Sequence, residues 1–538
     1  MMPTARQISL PLAPALFALL LLAWLVPGLI GHDPWKTGDA VGIGIVDQML
    51  RHGQWLVPHL AGEPYLEDGP LYYWIAALTA KLFSPLLSEA DGARLASGLV
   101  MAATLEFVYL AARRLYGRLE GLSAVLVLLG CLGLLAHAHE ALPDLGALAG
   151  QALAWYGIAL ALRRPLSGGW MLGAGLGAAA LCKGIAAVIA PLAVALAAPL
   201  LSSEWRRREY VLTLHAAALT FVAILGGWLA LIQQYSPGIV RTWWYANTAQ
   251  FARPPGYALA YWAQTLAWTT WPAWPLALWA LWERHRRSFE PGTRMLIAAF
   301  VASLAVLAFL RDPREGYALP LMVPLALLAG AGVPSLRRGA ANGLAWFGVM
   351  SAGFFGALAW LGWFAMMTGM PAPIAHDFAK LEPGHVPHFS WLVFVFALAF
   401  TLAWLWLVAR AERSVLRSVT YWAAGITLLW SLIMTLLLSW IDYGRSYRLV
   451  ALSLKKALPA GTRCIESRGL GESQRAVFDY HAEIITEPAE RHESGRCPLL
   501  LVQARQDERT ALEPGWKLIW EGRRPRDRER YRLYQRQP

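Results

Sequence analysis

Long apolar runs joined by short polar connections set the strongest limit on how this chain can fold. An apolar run of roughly 20 residues can cross a bilayer as a helix, and thirteen runs approach that length. They lie near residues 10–30, 93–112, 120–137, 145–162, 169–183, 184–201, 211–232, 260–282, 295–310, 318–334, 343–366, 391–409 and 420–440. Only 15% of the residues are charged, against about 25% in soluble globular proteins. The pattern predicts an all-α polytopic membrane domain of about 13 transmembrane helices.

Three parts of this pattern need separate interpretation. Run 10–30 is followed by no small-residue cleavage site of the A-x-A kind, so we expect a retained first helix and not a signal peptide. Runs 169–183 and 184–201 are short and meet at Lys183-Gly184, which predicts tilted helices or a hairpin. Residues 70–83 are apolar but too short to cross, which favours an interfacial or re-entrant helix.

Arginine is distributed unevenly between the two sets of connections. Those that follow the even-numbered runs, from ARRLYGR at 112–118 to RAERSVLR at 410–417, hold 17 Arg. Because cytoplasmic loops carry such an excess, we predict a cytoplasmic N-terminus and, with an odd number of spans, a C-terminus on the opposite side. In a bacterium this describes a multi-pass inner-membrane protein with a periplasmic C-terminus. The net charge of +12 then reports membrane orientation, and we predict no nucleic-acid partner.

The composition changes at residue 442. Residues 442–538 alternate short apolar segments with turn residues, as in TRCIES, AEIITE, PLLLVQA, WKLIWEG and YRLYQ, which predicts a small α/β domain with a sheet. We therefore divide the chain into a membrane domain, 1–441, and a periplasmic domain, 442–538. An oxidising compartment would permit a disulfide between Cys464 and Cys497.

The connection after the first run, residues 31–74, is long and rich in carboxylates and aromatic rings. It carries Asp39 between two glycine-containing turns, and the neighbouring acids Glu67 and Asp68. A loop that only joined two helices could be far shorter, so we interpret this one as a first periplasmic loop that holds carboxylates at the membrane surface. Its remaining acids are expected to be solvated: Asp33, Asp47 and Glu63.

Ionisable residues at membrane depth are costly and are candidates for function. Asp144, Lys183 and Arg94 lie at the ends of predicted helices, on the same side as the first loop. A predicted turn on that side adds further charges: Arg311, Asp312, Arg314 and Glu315. Lys and Arg bind phosphate, and a carboxylate can act as a base or hold a metal. Together these residues predict a site for an anionic, lipid-linked substrate, although Lys183 alone would also fit a snorkelling side chain.

Five motifs resemble those of one known family. WLVPHLAGEPYLEDGPLYYW at 55–74 is similar to W-[LI]-V-P-H-x-x-G-x-x-Y-[FL]-E-K-P-P-L-x-Y-W, found in the first periplasmic loop of bacterial 4-amino-4-deoxy-L-arabinose lipid A transferases. The others follow in the family's order: ARLASGL (93–99), ALPD (141–144), LCKGIAAVIAPL (181–192) and RDPREGYALPLMVPLALLAG (311–330). The chain thus resembles this family, part of the protein O-mannosyltransferase-like group of the GT-C superfamily.

The resemblance implies a membrane glycosyltransferase with a periplasmic active site. Its donor would be a sugar on a polyprenyl (undecaprenyl) phosphate, and its acceptor a lipid A, glycan or protein. It implies that Asp39 and Glu67 are catalytic and that, where a divalent metal cation takes part, they hold it. Lys183 and Arg94 would bind the donor phosphate. Further candidate site residues are Asp144, Asp68, Tyr65, His59, Arg311 and Arg314.

The loop motif departs from the family pattern at three positions. Asp39 stands at, or one place after, the family's loop aspartate in D-E-x-x-Y; counting back from Met49-Leu50 puts Gly38 at the aspartate and Asp39 at the neighbouring acid. Asp68 and Gly69 replace the lysine and the first proline of E-K-P. An aspartate in place of a lysine suits a phosphate acceptor less well, so we expect a sister activity on another donor or acceptor. Two alternatives stay open: a flippase or transporter of lipid-linked sugars, and a catalytically inactive assembly subunit.

Overall fold

The computed structural model of the protein describes residues 14–251, 256–284, 290–310, 315–411, 414–462, 464–489, 497–505, 515–525 and 527–537. Helices dominate the described part of the chain. They are α1 (Pro14–Leu25), α2 (Gly38–His52), α3 (Leu71–Phe83), α4 (Glu89–Leu115), α5 (Arg118–Leu129), α6 (Leu132–His137), α7 (Pro143–Ala161), α8 (Pro165–Lys183), α9 (Ala186–Leu201), α10 (Glu209–Phe221), α11 (Gly227–Tyr235), α12 (Ile239–Ala249), α13 (Gly256–Thr269), α14 (Ala273–Arg284), α15 (Pro291–Phe309), α16 (Leu319–Gly332), α17 (Arg338–Thr368), α18 (Ala372–Leu381), α19 (Trp391–Arg410), α20 (Arg417–Leu436), α21 (Leu438–Arg445), α22 (Arg448–Ala457) and α23 (Glu472–Ala482). The strands are β1 (His59–Leu60), β2 (Glu63–Pro64), β3 (Ile465–Arg468), β4 (Glu487–Pro488), β5 (Leu499–Arg505), β6 (Trp516–Gly522) and β7 (Glu529–Arg536).

Seven helical segments of the described residues are long and apolar enough to cross a membrane. They are α4, α10 continued through a π-helical turn into α11, α15, α16 with its flanking 3₁₀ turns, α17, α19 and α20. The other predicted runs form shorter or less apolar helices. Run 120–137, for example, is divided at Gly130, where the missing side chain lets Trp422 pack and donate its indole N–H to the Gly130 carbonyl (2.9 Å).

The antiparallel pair α7 and α8 is packed backbone to backbone. Glycines face each other along it, at positions 150 and 157 on α7 and 168 and 175 on α8. A Cβ added at any of the four would come within 2.5–2.6 Å of a backbone atom of the opposite helix. Small residues of this kind let membrane helices approach closely. The hairpin therefore fixes the start of α7, with Asp144, beside the end of α8, with Lys183.

The C-terminal part of the chain forms a small sheet domain. Among the described residues of this domain, five strands are arranged in the order β4-β3-β5-β7-β6. The strand β3 is parallel to β4 and β5, and β7 is antiparallel to β5 and β6. The helices α22 and α23 pack on this sheet around buried Phe478 and Tyr531. Cys464 and Cys497 form a disulfide with their Cα atoms 5.2 Å apart.

Two details of the sequence prediction concern this domain. The segment AEIITE contributes to the sheet only at its end, since β4 comprises just Glu487–Pro488. The predicted boundary at 442 falls inside α21 and stays a prediction.

The first loop, 31–74, folds into α2 and the β1–β2 hairpin, and the sheet domain covers it. Glu63 accepts a hydrogen bond from the buried guanidinium of Arg475 (3.0 Å), and Asp33 forms an ion pair with Arg448 (2.7 Å). Asp47 is buried where α2 packs on α23. The expectation that these three acids are solvated was wrong, because the covering domain turns them into docking contacts.

Candidate active site

A cavity of about 930 Å³ lies where the helical part of the protein meets the sheet domain. Among the described residues, its walls include the start of α2, the segment before α3, the facing ends of α7 and α8, the turn before α16 and the turn before α23. The charged side chains that line it are Lys36, Asp68, Glu140, Asp144, Lys183, Arg445 and Glu472. Three of the predicted site residues, Asp68, Asp144 and Lys183, are thus brought together here, with Tyr65 also in the lining.

Lys183 is the centre of this group. Its ammonium lies 2.8 Å from Asp68 Oδ1 and 3.3 Å from Asp144 Oδ2, and above the ring of Tyr317 (5.5 Å to the centroid). A lysine ammonium has three N–H donors; one is donated to Asp68, and Asp144 lies on a second side as an ion-pair partner. Since the side chain is 18% exposed, the remaining donor direction is available to an anionic group in the cavity.

Asp68 accepts two hydrogen bonds and can accept further ones. Lys183 donates to Oδ1 and the hydroxyl of Tyr73 donates to Oδ2 (3.0 Å). An ionised carboxylate accepts about four hydrogen bonds, so each oxygen retains one lone-pair direction. Burial raises the pKa of Asp68 above its ordinary value and Asp144 adds to this effect, while Lys183 opposes it.

Gly69 explains how Asp68 reaches this position. Its backbone N–H donates to the carbonyl of Cys182 at the end of α8 (3.1 Å). A Cβ on Gly69 would stand 2.2 Å from the carbonyl oxygen of Leu181. The proline that the resembling family has here lacks that N–H and carries a Cβ. The two departures from E-K-P therefore act together, because glycine lets the loop lie against α8 and place Asp68 beside Lys183.

Asn247 on α12 fixes the same junction, and the sequence interpretation did not assign it this task. Its buried side-chain amide donates to the carbonyl of Leu66 (3.3 Å) and accepts from the backbone N–H of Ile185 (3.1 Å). A Cβ on Gly184 would overlap Asn247. The signal in the sequence is a single amide among the apolar and aromatic residues of a short helix.

Asp39 and Arg94, predicted as a catalytic acid and a phosphate ligand, are instead bound to each other. The guanidinium gives Asp39 two hydrogen bonds (3.0 and 2.9 Å), and the backbone N–H groups of Trp35 and Ala141 give two more (3.1 and 2.8 Å). Burial by itself raises the pKa of Asp39, but Arg94 outweighs it and leaves that pKa below its ordinary value. All lone-pair directions of Asp39 are thus used.

Arg94 also uses its hydrogen-bond donors on groups of the protein. It is fully buried and also donates to the carbonyls of His32 and Asp33 and to Asp91 (3.0, 3.0 and 3.2 Å). Neither Asp39 nor Arg94 lines the cavity. The observed contacts are structural, since the pair ties the first loop to α4; the catalytic and phosphate-binding roles stay predictions.

The other predicted residues are distributed as follows. Glu67 is half-buried and accepts a hydrogen bond from the hydroxyl of Tyr65 (3.4 Å), outside the cavity lining. His59 is buried in the β1–β2 hairpin against the carbonyl of Val57 (2.8 Å), also outside the lining, and burial lowers its pKa. Arg311 and Arg314 lie outside the described residues.

The predicted metal pair, Asp39 and Glu67, does not fit a divalent cation. Asp39 has no lone pair left for a cation, so the pair would lack one of its two ligands. Among the described residues, the group of three ligand side chains close enough to share an ion is Cys464, Glu487 and Cys497. The two cysteine sulfurs of this group are joined in the disulfide.

An apolar groove opens from the cavity between α7, α9, α15 and α16. Its walls are mostly apolar, with Ala147, Ala187, Val306 and Leu307 among them, and also include Gln151, Gln250 and Ser303. Asp144, Lys183 and Tyr317 line both the groove and the cavity. A molecule with a hydrocarbon chain and an anionic head could therefore lay its chain in the groove and its head beside Lys183.

Comparisons with known proteins agree with this geometry. The family model of dolichyl-phosphate-mannose-protein mannosyltransferases matches residues 67–228, which include Asp68, Asp144 and Lys183. The undecaprenyl phosphate-alpha-4-amino-4-deoxy-L-arabinose arabinosyl transferase of Pseudomonas savastanoi pv. phaseolicola is 27% identical over 434 residues, 78% of this chain and 76% of that protein. The enzyme of the same name from Pseudomonas paraeruginosa is 30% identical, over 63% of each chain.

The solved structures show the fold. The crystal structure of ArnT from Cupriavidus metallidurans bound to undecaprenyl phosphate superposes with a TM-score of 0.70 at 18% identity, covering 97% of both chains. The archaeal oligosaccharyltransferase AglB from Archaeoglobus fulgidus, in complex with an inhibitory peptide and a dolichol-phosphate, gives a TM-score of 0.53 over 91% of this chain and 68% of that one. The three comparisons together confirm the resemblance indicated by the motifs: the chain has a GT-C fold and is similar to the bacterial 4-amino-4-deoxy-L-arabinose transferases.

Proposed function

We propose that this protein is a glycosyltransferase that moves a sugar from undecaprenyl phosphate to a lipid, glycan or protein acceptor at a membrane. The relatives are named as undecaprenyl phosphate-aminoarabinose arabinosyl transferases, and the protein with the matching fold was crystallised with undecaprenyl phosphate. The observation that carries the proposal is the apolar groove that ends at Lys183. It offers one surface for a polyprenyl chain and, at its end, an ammonium for the phosphate.

The proposed reaction breaks the bond between the anomeric carbon of the sugar and the phosphate oxygen. Polyprenyl phosphate leaves with the bonding electrons, so the developing negative charge needs a nearby cation. The unoccupied donor direction of Lys183 supplies it, and a charge-assisted hydrogen bond of this kind is about twice as strong as a neutral one. Asp144 binds the same ammonium (3.3 Å) and orients it.

The proposed topology follows from the arginine distribution. We propose about 13 membrane spans, with the N-terminus cytoplasmic and both the cavity and the sheet domain periplasmic, in a bacterial inner membrane. The support is the concentration of 17 Arg in one set of connections. A reporter that is active only in the periplasm should be active after Pro538 and silent within 205–209; the reverse would overturn this orientation.

Purified protein in liposomes that contain lipid A as acceptor and undecaprenyl phosphate carrying a labelled aminoarabinose as donor tests the function. We expect labelled product together with released undecaprenyl phosphate. Movement of the intact donor across the bilayer without cleavage would instead support a flippase. Lys183→Met should weaken donor binding in the same preparation, and normal turnover by that variant would contradict the site.

A further inference from the structure

We propose that Asp68 is the general base of the transfer, and that the acceptor reacts through a hydroxyl group and not through a phosphate. The inference rests on the proposed function and names the class of acceptor. The family resemblance implies a loop aspartate at, or one place before, the position of Asp39 and a lysine at the position of Asp68. Gly38 and Asp68 line the same cavity, and in this chain it is Asp68 that carries a carboxylate there.

At Gly38 the space that a side chain would need is occupied by the side chain of Leu142. A Cβ there would come within 2.2 Å of Leu142 Cδ2, which also lines the cavity. The neighbouring acid, Asp39, is bound by four N–H donors and turned away. Among the described residues of the first loop, Asp68 is therefore the carboxylate that faces the cavity.

Asp68 lies on the acceptor side of the site. Lys183 and Asp144 line both the apolar groove and the cavity, whereas Asp68 lines the cavity alone. The groove takes the donor chain, so the acceptor must come from the cavity, past Asp68. One lone-pair direction on each Asp68 oxygen is left after the contacts from Tyr73 and Lys183. A general base needs such a direction within hydrogen-bond reach of the acceptor.

The charges of the cavity disfavour a phosphate acceptor. Around Lys183 there are already two carboxylates, and the donor phosphate takes the third donor direction. The other cations in the lining have partners: Lys36 binds Glu529 (3.4 Å), and Arg445 lies over the ring of Trp35 (5.3 Å). A second phosphate beside Asp68 would meet an anion where the family pattern has a lysine. A neutral hydroxyl group instead gains a hydrogen-bond acceptor.

In the proposed step the acceptor oxygen forms a bond to the anomeric carbon as its proton passes to Asp68. The bond from that carbon to the phosphate oxygen breaks, and its electron pair leaves with undecaprenyl phosphate. The product is an O-glycoside, which resists mild acid. Transfer to a phosphate would need no base and would give a glycosyl phosphate, which mild acid cleaves.

The test uses the full-length protein, undecaprenyl-phosphate-linked aminoarabinose and two acceptor probes: bisphosphorylated lipid A and the same lipid with both phosphates removed. We expect the dephosphorylated probe to be glycosylated and the product to survive mild acid. Asp68→Asn should slow this reaction about 10²–10⁴-fold, the range for general acid–base catalysis. It should leave binding of undecaprenyl phosphate and the melting temperature close to those of the wild type, which shows that the variant is folded.

The double variant Gly38→Asp/Asp68→Lys restores the family arrangement and serves as the matched comparison. It should shift the preference toward the bisphosphorylated probe and give an acid-labile product. The inference is overturned if the wild type glycosylates only the bisphosphorylated probe, with an acid-labile product, and Asp68→Asn keeps its rate. Absence of undecaprenyl phosphate release with both probes would instead overturn the proposed transferase function itself.

Discussion

Two buried groups of ion-paired residues include acids of the first loop, and they differ in how many of their hydrogen-bonding directions are filled. In the Asp39–Arg94 pair, four N–H donors reach the carboxylate, and the guanidinium uses its remaining donors on nearby oxygens. In the Asp68–Lys183–Asp144 triad, Asp68 and Lys183 each keep bonding directions that point into a cavity. The first group has no capacity left for a substrate, whereas the second has.

One short loop thus contributes an acid to a fully bonded structural pair and another acid to a group that can still bind a substrate. A buried charge whose bonding directions are all filled stabilises one arrangement of the chain and resists any other. A charge that is anchored by some of its bonds and open in the others is held in place and can still bind or accept a proton. We therefore expect substitutions in the pair to act on stability and substitutions in the triad to act on transfer.

Arg94→Met should have the largest effect on stability. It leaves Asp39 as an unpaired carboxylate in a buried site, and breaking one partner of a buried pair costs about 3–5 kcal/mol. Thermal unfolding in detergent should show a melting temperature lowered by many degrees, with the transfer rate per folded molecule near that of the wild type. A stable Arg94→Met protein with no donor binding would return Arg94 to the phosphate site.

Gly69→Ala should have the largest effect on transfer after removal of Asp68 itself. The added Cβ would meet the backbone oxygen of Leu181 at 2.2 Å, so the loop that carries Asp68 must move away from α8. A displacement of about 1 Å can cost about 100-fold in rate. Gly339→Ala is the matched control, since a Cβ there meets nothing within 4 Å. Equal rates for both variants would show that the contact with α8 does not position Asp68.

Lys183→Met sharpens the comparison from the donor side. A hydrogen bond to a charged group contributes about 1.5–3 kcal/mol, which corresponds to a loss of roughly tenfold to a hundredfold or more in donor affinity. Titration with undecaprenyl phosphate should show this loss, with a smaller change in melting temperature than Arg94→Met gives. An unchanged affinity would place the donor phosphate elsewhere.

Lowering the pH should affect the Asp68 and Asp39 groups at different pH values. The pKa of Asp68 is raised. As the pH is lowered, its carboxylate therefore becomes protonated, and transfer slows, already at a pH above the ordinary aspartate pKa of about 3.9. The pKa of Asp39 is lowered, so its stabilising contribution is fully present above that value and disappears only as pH falls further. Rate and circular dichroism measured across this range should reveal a folded, slow protein between the two transitions. Loss of rate and of structure at one common pH would contradict the assignment.

Much of the architecture could be predicted from the sequence, because it depends on regular patterns. Apolar runs gave the helical membrane part, and the alternating segments after 442 gave the sheet domain with its disulfide. The motif spacing predicted that Lys183 and Asp144 share a site. That prediction depends only on a helical hairpin of two similar lengths, which brings the start of α7 to the end of α8.

The roles of the loop acids could not be predicted, because they depend on which donors fold back onto each carboxylate. Asp39 was predicted to be catalytic, yet the backbone N–H groups of Trp35 and Ala141 enclose it. Neither contact has a side-chain signal. The covering of Glu63 by the sheet domain likewise depends on an arginine more than 400 positions away along the chain. Spacing within a motif carries no information about either contact.

The most direct test of the account compares Asp39→Asn with Asp68→Asn in one preparation, measuring the transfer rate per folded molecule and the melting temperature. Each change keeps the shape of the side chain and removes its charge. We predict that Asp68→Asn loses about 10²–10⁴ in rate with little change in melting temperature, and that Asp39→Asn melts earlier while its folded fraction transfers sugar at close to the wild-type rate. The opposite result, a stable but inactive Asp39→Asn beside an active Asp68→Asn, would contradict the account and move the reaction centre to Asp39.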